Sequence, residues 1–209
     1  MTYSALIQKL SHDVDGVTHL EEDEAYQLFS AMLDDGVSDL ELGAIVTALH
    51  IKSESIEELL GLMIDKGAVA LNVVPDRNWN VADSKVKTVK VRNLYEIVRL
   101  AQERDLPLNV GTEMNNYGLK LVDDFSAVEL APVCQAFLDG AFFIYGHTVA
   151  QRALGIGYES DWARSNLATR RERNGFYTEL GRRVPPGLAG LRKLQGVAVR
   201  SPSDILAAL

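Results

Sequence analysis

The chain has 209 residues, nearly half of them apolar, which is enough for one domain or two small domains with a buried core. Its single cysteine, Cys134, excludes a disulfide framework and a cysteine zinc site, and no apolar run approaches the roughly 18 residues of a membrane-spanning helix. The net charge of −8 is unevenly spread: residues 1–70 carry 14 acidic and 3 basic side chains, giving −11, and the remainder carries 15 and 18, giving +3. The acidic opening disfavours a nucleic-acid or membrane partner for that segment. With no secretory signal, we expect a cytoplasmic protein.

Residues 20–66 are expected to form a helical array. Apolar residues recur three and four positions apart between residues 24 and 33, which is typical of an amphipathic helix. Ser38 with Glu41, and Ser55 with Glu58, have the spacing of capping boxes that open two further helices. The predicted buried stripes of these two helices are Leu42, Ile45, Val46 and Leu49, and Ile56, Leu59, Leu60 and Met63.

This first segment resembles a known helical module. It is similar to the N-terminal helical domain of glycosyltransferase family 3, the group of anthranilate phosphoribosyltransferase and pyrimidine-nucleoside phosphorylase. The similarity is carried by residues 20–25, 28–33, 37–44, 48–52 and 57–61. The resemblance implies a module that packs beside a catalytic domain and commonly forms a homodimer contact.

The phosphate-binding loop that this resemblance implies is missing. Such a transferase continues with a strand and a Gly-Thr-Gly-Gly-Asp loop, whose glycines let backbone N–H groups approach a pyrophosphate closely. No glycine lies between Gly67 and Gly111 here, and the isolated pair Gly155 and Gly157 is more typical of a helix C-cap. The sequence therefore predicts that transferase chemistry by the usual mechanism is absent.

The second segment alternates between helical and strand patterns. A helix is predicted over residues 83–105, with an inward face formed by Val86, Val89, Leu94, Ile97, Val98 and Ala101. A strand over 107–112, a helix over 127–139 and a strand over 141–146 follow, and this alternation favours parallel pairing. A long polar helix is predicted over 160–182, and Ser201 or Ser203 would cap a final helix ending at Leu209.

Chemically active side chains follow each predicted strand. Glu113 comes after the first strand and His147 after the second, and residues at the carboxyl ends of parallel strands face a common mouth. A carboxylate and an imidazole could act there as catalytic groups or as ligands of a divalent metal. Loop or capping hydrogen bonds are an equally weighted alternative for both. For Asp123 and Asp124, helix capping is favoured over catalysis.

Residues 75–186 resemble the C-terminal part of polymerase-and-histidinol-phosphatase metallohydrolases. The similarity is carried by residues 110–115, 122–125, 129–132, 143–148 and 171–177. Such proteins bind metals through several His and Asp side chains, beginning with an early His-x-His pair, which this chain lacks. Only Glu113 and His147 carry over, and two ligands seldom form a catalytic metal site. The segment resembles a barrel without its first strands.

A basic cluster occupies residues 164–193. Arg164, Arg170, Arg171 and Arg173 lead it and could follow a nucleic-acid backbone, with aromatic residues among the charges. Asp161, Glu172 and Glu179 interrupt the cluster, which favours a solvated helix face or a contact with the acidic first segment.

Together these patterns predict a helix-rich α/β protein. A helical bundle over residues 1–70 precedes a partial parallel α/β unit, similar to a barrel fragment, over 71–209. The leading functional hypothesis is a non-catalytic, transferase-like scaffold that forms homodimers through its first helices and has no certain cofactor. One alternative is a metal-dependent hydrolase of the phosphoesterase kind that uses Glu113 and His147. The other is nucleic-acid binding by the basic cluster.

Overall fold

The computed structural model describes residues 22–33, 37–38, 40–43, 45, 56–112, 117 and 121–209. The chain divides into two compact units, Met1–Ala68 and Val69–Leu209. It is helix-rich, with a small parallel sheet in the second unit, as the sequence predicts. In the described part of the chain, no helix combines the length and the apolar character needed to cross a bilayer.

In the first unit, helices α1 (Glu22–Leu33) and α2 (Ile56–Asp65) contact one another. Leu28, Phe29 and Leu60 are buried, which confirms the predicted stripes at these positions. The capping box at Ser38 is also confirmed, because the Ser38 amide donates to Glu41 Oε2 at 3.0 Å and residues 40–43 are helical. Leu59 was predicted to face inward but is 38% exposed.

Some of the predictions for the first unit lie outside the described residues. These are Val46 and Leu49 of the predicted stripe that begins at Leu42, Ser55 of the second predicted capping box, and the start of the first helix at residues 20 and 21.

The second unit contains a two-stranded parallel sheet. Strands β1 (Leu71–Val73) and β2 (Leu108–Val110) pair in parallel with Leu71 opposite Leu108. Between them lie α3 (Asp76–Trp79) and α4 (Ser84–Glu103), and the Asp83 side chain caps α4. The predictions of helix 83–105 and of a strand within 107–112 are therefore confirmed.

The rest of the second unit is helical, and its helices are α5 Cys134–Leu154, α6 Asp161–Asn166, α7 Arg170–Arg183, α8 Leu188–Gln195 and α9 Pro202–Ala207. Helix α5 packs against α7 and α8, and α9 packs against α7. Gly155 ends α5 with a φ of 72°, which confirms the predicted glycine C-cap, and Ser201 caps α9 as predicted. The last helix ends at Ala207, two residues earlier than expected.

The predicted strand 141–146 is wrong, because these residues lie in the middle of α5. The buried residues of α5 recur every three positions from Phe137 to Val149, which is helical spacing. The helix packs against α7, α8 and β2, so apolar residues occupy most of its circumference and mimic the continuous run of a buried strand. The partner of β2 is instead β1, which the sequence did not single out as a strand.

Three further boundaries differ from prediction. Residues 127–133 form turns rather than helix, and α5 begins two residues after Pro132, whose missing N–H suits a helix entrance. The predicted helix 160–182 is divided into α6 and α7, because Thr169 and Glu172 form a capping box that begins a new helix inside it. On α4, Val86 and Val89 are 45% and 47% exposed, so the predicted inward face begins only at Leu94.

Glycines allow α5 to approach its neighbours closely. A Cβ atom on Gly146 would lie 1.9 Å from the Tyr177 carbonyl oxygen of α7, and one on Gly181 would lie 2.0 Å from the Phe142 carbonyl oxygen of α5. On the sheet side, a Cβ on Gly140 would lie 1.7 Å from the Leu108 carbonyl oxygen of β2. Since backbone atoms stand in the way, no side-chain rotation could relieve these contacts.

We predict that Gly146→Ala lowers the free energy of unfolding by at least about 2 kcal/mol, because the added methyl group forces α5 and α7 apart. Gly175→Ala on α7 is the matched control. It meets no atom within 4 Å. It should stabilise the protein by about 0.5–1 kcal/mol, because alanine is the better helix former. Urea denaturation followed by circular dichroism measures both variants, and equal stabilities would contradict the close approach of the helices.

Candidate functional site

The carboxyl ends of the two strands are organised by a buried carboxylate. Asp123 is only 8% exposed and accepts hydrogen bonds from the Trp79 Nε1–H, with a donor–acceptor distance of 2.9 Å, and from the Asp76 backbone N–H at 3.3 Å. Both donors belong to α3, which follows β1 directly. Asp123 therefore joins the segment after residue 120 to the beginning of a helix 47 positions upstream.

The prediction that Asp123 and Asp124 cap the helix that follows them is wrong, because that helix begins at Cys134 and its N-cap, Val133, makes no side-chain hydrogen bond. Asp124 accepts from the Ser126 amide at 3.1 Å, which is a local turn interaction. Asp123 does satisfy an amide at a helix start, but the helix is α3 rather than the one that follows it in sequence. The carboxylate thus occupies the position at which an anion would meet the first amides after β1.

His147 lies on α5 and is part of an aromatic cluster. Its Nδ1 accepts from the Tyr158 backbone N–H at 2.9 Å, so the neutral ring carries its proton on Nε2. The imidazole meets the Tyr177 ring edge to face, with ring centroids 6.0 Å apart. Burial lowers the pKa of His147, and the Glu159 carboxylate opposes that effect in part.

The tyrosines of the same cluster are also engaged. The Tyr177 hydroxyl donates to the Ile156 carbonyl oxygen at 2.8 Å, and the Tyr158 hydroxyl donates to Asn174 Oδ1 at 3.1 Å. Burial raises the pKa of both Tyr158 and Tyr177. The hydrogen bond and ring contact of His147 are in keeping with the hydrogen-bonding alternative that its sequence context left open.

The other predicted catalytic and metal ligand, Glu113, lies outside the described residues. Within the ranges that the structure describes, no three His, Cys, Asp or Glu side chains are grouped so as to hold a metal ion. The pairing of Glu113 with His147, whether catalytic or metal-binding, stays a prediction.

The arginines of the basic cluster interact with groups of their own unit. Arg164 pairs with Glu159 at 2.9 Å, and Arg171 Nε donates to Asp105 Oδ1 at 3.0 Å. The Arg173 guanidinium lies over the Tyr158 ring, 5.0 Å from its centroid, and Arg170 acts electrostatically on the same tyrosine. Acids and aromatic rings of the second unit thus engage Arg164, Arg171 and Arg173. Nucleic-acid binding stays a prediction.

Sequence reasoning missed the link between Asp123 and Trp79. The apolar residues 69–74, placed between Gly67 and Pro75, could have indicated β1, because such short runs bounded by breakers are typical of buried strands. No local pattern could have indicated that Asp123 and Trp79 meet, since 44 positions separate them.

Comparison with known proteins locates the resemblance of the chain in its first third. Residues 4–63 match the model of the glycosyl transferase family, helical bundle domain. This confirms the resemblance stated for that segment and relates the chain to phosphoribosyltransferases through it. The match ends before residue 75, so the resemblance of residues 75–186 to metallohydrolases stays unsupported.

Three relatives illustrate the extent of the similarity. An uncharacterized protein of Aquifex aeolicus (strain VF5) is 41% identical over 56 residues, which is 27% of this chain and 18% of that protein. The anthranilate phosphoribosyltransferase of Buchnera aphidicola subsp. Diuraphis noxia is 37% identical over 46 residues, or 22% of this chain and 14% of the enzyme. The uncharacterized protein YbiB of Escherichia coli (strain K12) is 38% identical over 61 residues, which is 29% of this chain and 19% of that protein.

The chain thus spans less than a fifth of the length of each of these relatives. A search of solved structures gives no significant match.

The environment of His147 predicts an acid-sensitive stability. The unfolded imidazole has its ordinary pKa of about 6.5, and burial holds the folded value lower. The contribution of the neutral ring is therefore fully present above about pH 6.5 and is lost as the pH falls toward the folded pKa. His147→Asn should remove this part of the pH dependence, because its Oδ1 can accept the Tyr158 amide without titrating. Urea denaturation at several pH values tests this, and parallel profiles for the two proteins would contradict it.

Proposed function

We propose that this chain is a phosphoribosyltransferase-related protein that lacks the phosphate-binding loop and acts as a non-catalytic scaffold, dimerising through its N-terminal helices. The relationship rests on the helical bundle match over residues 4–63 and on the anthranilate phosphoribosyltransferase relatives. The scaffold role rests on the turn after β1 and on the exposed surface of the first unit. We also propose a cytoplasmic location, in keeping with the single cysteine.

The turn after β1 carries the proposal, because it presents a carboxylate where a phosphate cradle would present unpaired backbone N–H groups. It contains Val74 and the fully buried Pro75, which has no N–H to offer a phosphate. The next backbone N–H along the chain, that of Asp76, already donates to Asp123 Oδ2. A pyrophosphate oxygen brought within about 4 Å of the Asp123 carboxylate would meet a repulsion on the order of 4 kcal/mol at an effective dielectric constant near 20.

The first unit offers apolar groups for self-association. Tyr26 of α1 is 47% exposed, Leu40 is 85% exposed and Leu59 of α2 is 38% exposed. Burying large apolar side chains at an interface stabilises a complex, and such groups are the anchors expected in a homodimer of helical modules. This supports the homodimer that the family resemblance implies.

The dimer is tested by light scattering coupled to gel filtration at micromolar concentration, where the native chain should elute as a dimer. Leu40→Glu combined with Leu59→Glu should give a monomer, because each carboxylate would have to be buried at the interface. Val128→Glu is the matched control, since Val128 is 80% exposed in the second unit and should leave the dimer intact. A native chain that is strictly monomeric would contradict the proposal.

The missing phosphate site is tested by calorimetric titration with Mg²⁺ and phosphoribosyl pyrophosphate. We expect no saturable heat and no release of pyrophosphate in the presence of anthranilate. Asp123→Asn should not create either signal, because removing one negative charge supplies none of the glycine amides that a phosphate cradle needs. Turnover of phosphoribosyl pyrophosphate by the purified chain would overturn the non-catalytic assignment.

A further inference from the structure

The second unit contains a cavity of about 540 Å³ at the carboxyl end of β2. Residues from β2, from the segment beginning at residue 121 and from the first two turns of α5 surround it. Its volume lies within the range of small-molecule sites, and in parallel α/β units ligands bind beyond the carboxyl ends of the strands. The cavity is distinct from the cluster around His147, which contributes none of its described lining residues.

The walls of the cavity are apolar and partly aromatic. Phe125 and Phe137 meet edge to face with ring centroids 6.4 Å apart, and Leu138 belongs to the same wall. Phe137 is buried, whereas Phe125 and Leu138 are 37% and 46% exposed. A flat apolar ring would cover the exposed part of this wall and could adopt the edge-to-face contacts that aromatic groups favour.

The negative charge of Asp123 selects the charge of the ligand. Asp123 is the one charged side chain among the described lining residues. Its carboxylate accepts two N–H bonds, from Trp79 and Asp76, out of the roughly four that two carboxylate oxygens can accept. Apolar walls give this charge a low local dielectric constant, so a cation is attracted strongly and an anion is repelled.

We propose that this cavity is a binding site for an arylalkyl amine, with the protonated nitrogen at Asp123 and the ring against Phe125 and Leu138. The Phe125 ring favours the same ligand charge, since aromatic faces attract ammonium groups. Cys134, which begins α5, lies in the lining and is the single cysteine of the chain, so it reports on occupancy. The site belongs to the second unit alone and does not depend on the scaffold role proposed above.

The test compares three ligands of matched shape: 2-phenylethylamine, 2-phenylethanol and 3-phenylpropionate. Binding is followed by the rate at which a maleimide labels Cys134 in the native chain, and by Trp79 fluorescence in a Trp162→Phe background. We expect the amine to bind about tenfold more tightly than the alcohol, since a hydrogen bond to a charged group contributes about 1.5 kcal/mol or more. The carboxylate should give no protection at millimolar concentration.

Variants separate the cavity from the surface around it. Ala141→Phe fills the cavity from an exposed position of α5 and should abolish protection, whereas Ile144→Phe, one turn further on and outside the described lining, should leave it unchanged. Asp123→Asn keeps an acceptor for Trp79 and should bring the amine-to-alcohol affinity ratio close to one. Should that variant fold poorly, the ligand series and Ala141→Phe still decide the matter.

Three results would overturn the proposal: no binding of any of the three ligands at millimolar concentration, equal affinity for the amine and the carboxylate, or unchanged binding by Ala141→Phe.

Discussion

Helix α5 approaches helix α7 and strand β2 so closely that only hydrogen atoms fit between the backbones, and the second unit is organised around this contact. Gly146 and Gly181 face the carbonyl groups of the opposite helix, and Gly140 faces the Leu108 carbonyl of the sheet. The remaining core forms as a consequence of this approach, because it brings the rings of Phe143, Tyr158 and Tyr177 within contact distance. A wider separation would leave voids between these rings, and voids in a core are costly.

The sheet itself is too small to be stable alone. Two strands of three residues give few ladder hydrogen bonds, so their position depends on what packs against them. Helix α5 covers β2 on one side, and Asp123 fixes the segment that follows β1 through Trp79 and Asp76. The same carboxylate therefore holds α3 in place and puts a negative charge near the carboxyl end of the sheet. Asp123 thus affects both the local fold and the local charge.

His147 connects two parts of the second unit through one ring nitrogen and the imidazole ring. Its Nδ1 serves as the acceptor for the Tyr158 amide, which lies in the connection between α5 and α6. A neutral histidine meets this need with one ring nitrogen and contributes an aromatic contact to Tyr177 with its ring. Acids and aromatic rings of the same unit also engage Arg164, Arg171 and Arg173.

The sequence by itself determined the features that local interactions control. Ser38 and Ser201 begin helices because their side chains satisfy amides three positions away, and Gly155 ends α5 because it tolerates a positive φ. The sequence likewise indicated the resemblance of the first segment to a transferase module, which the family match over residues 4–63 confirms, and the absence of glycine between Gly67 and Gly111.

Only the tertiary structure decided that residues 141–146 are helical, that β1 pairs with β2, and that Asp123 meets Trp79. A helix covered on several sides has the apolar pattern of a strand, and contacts between residues 37 to 44 positions apart leave no local signature.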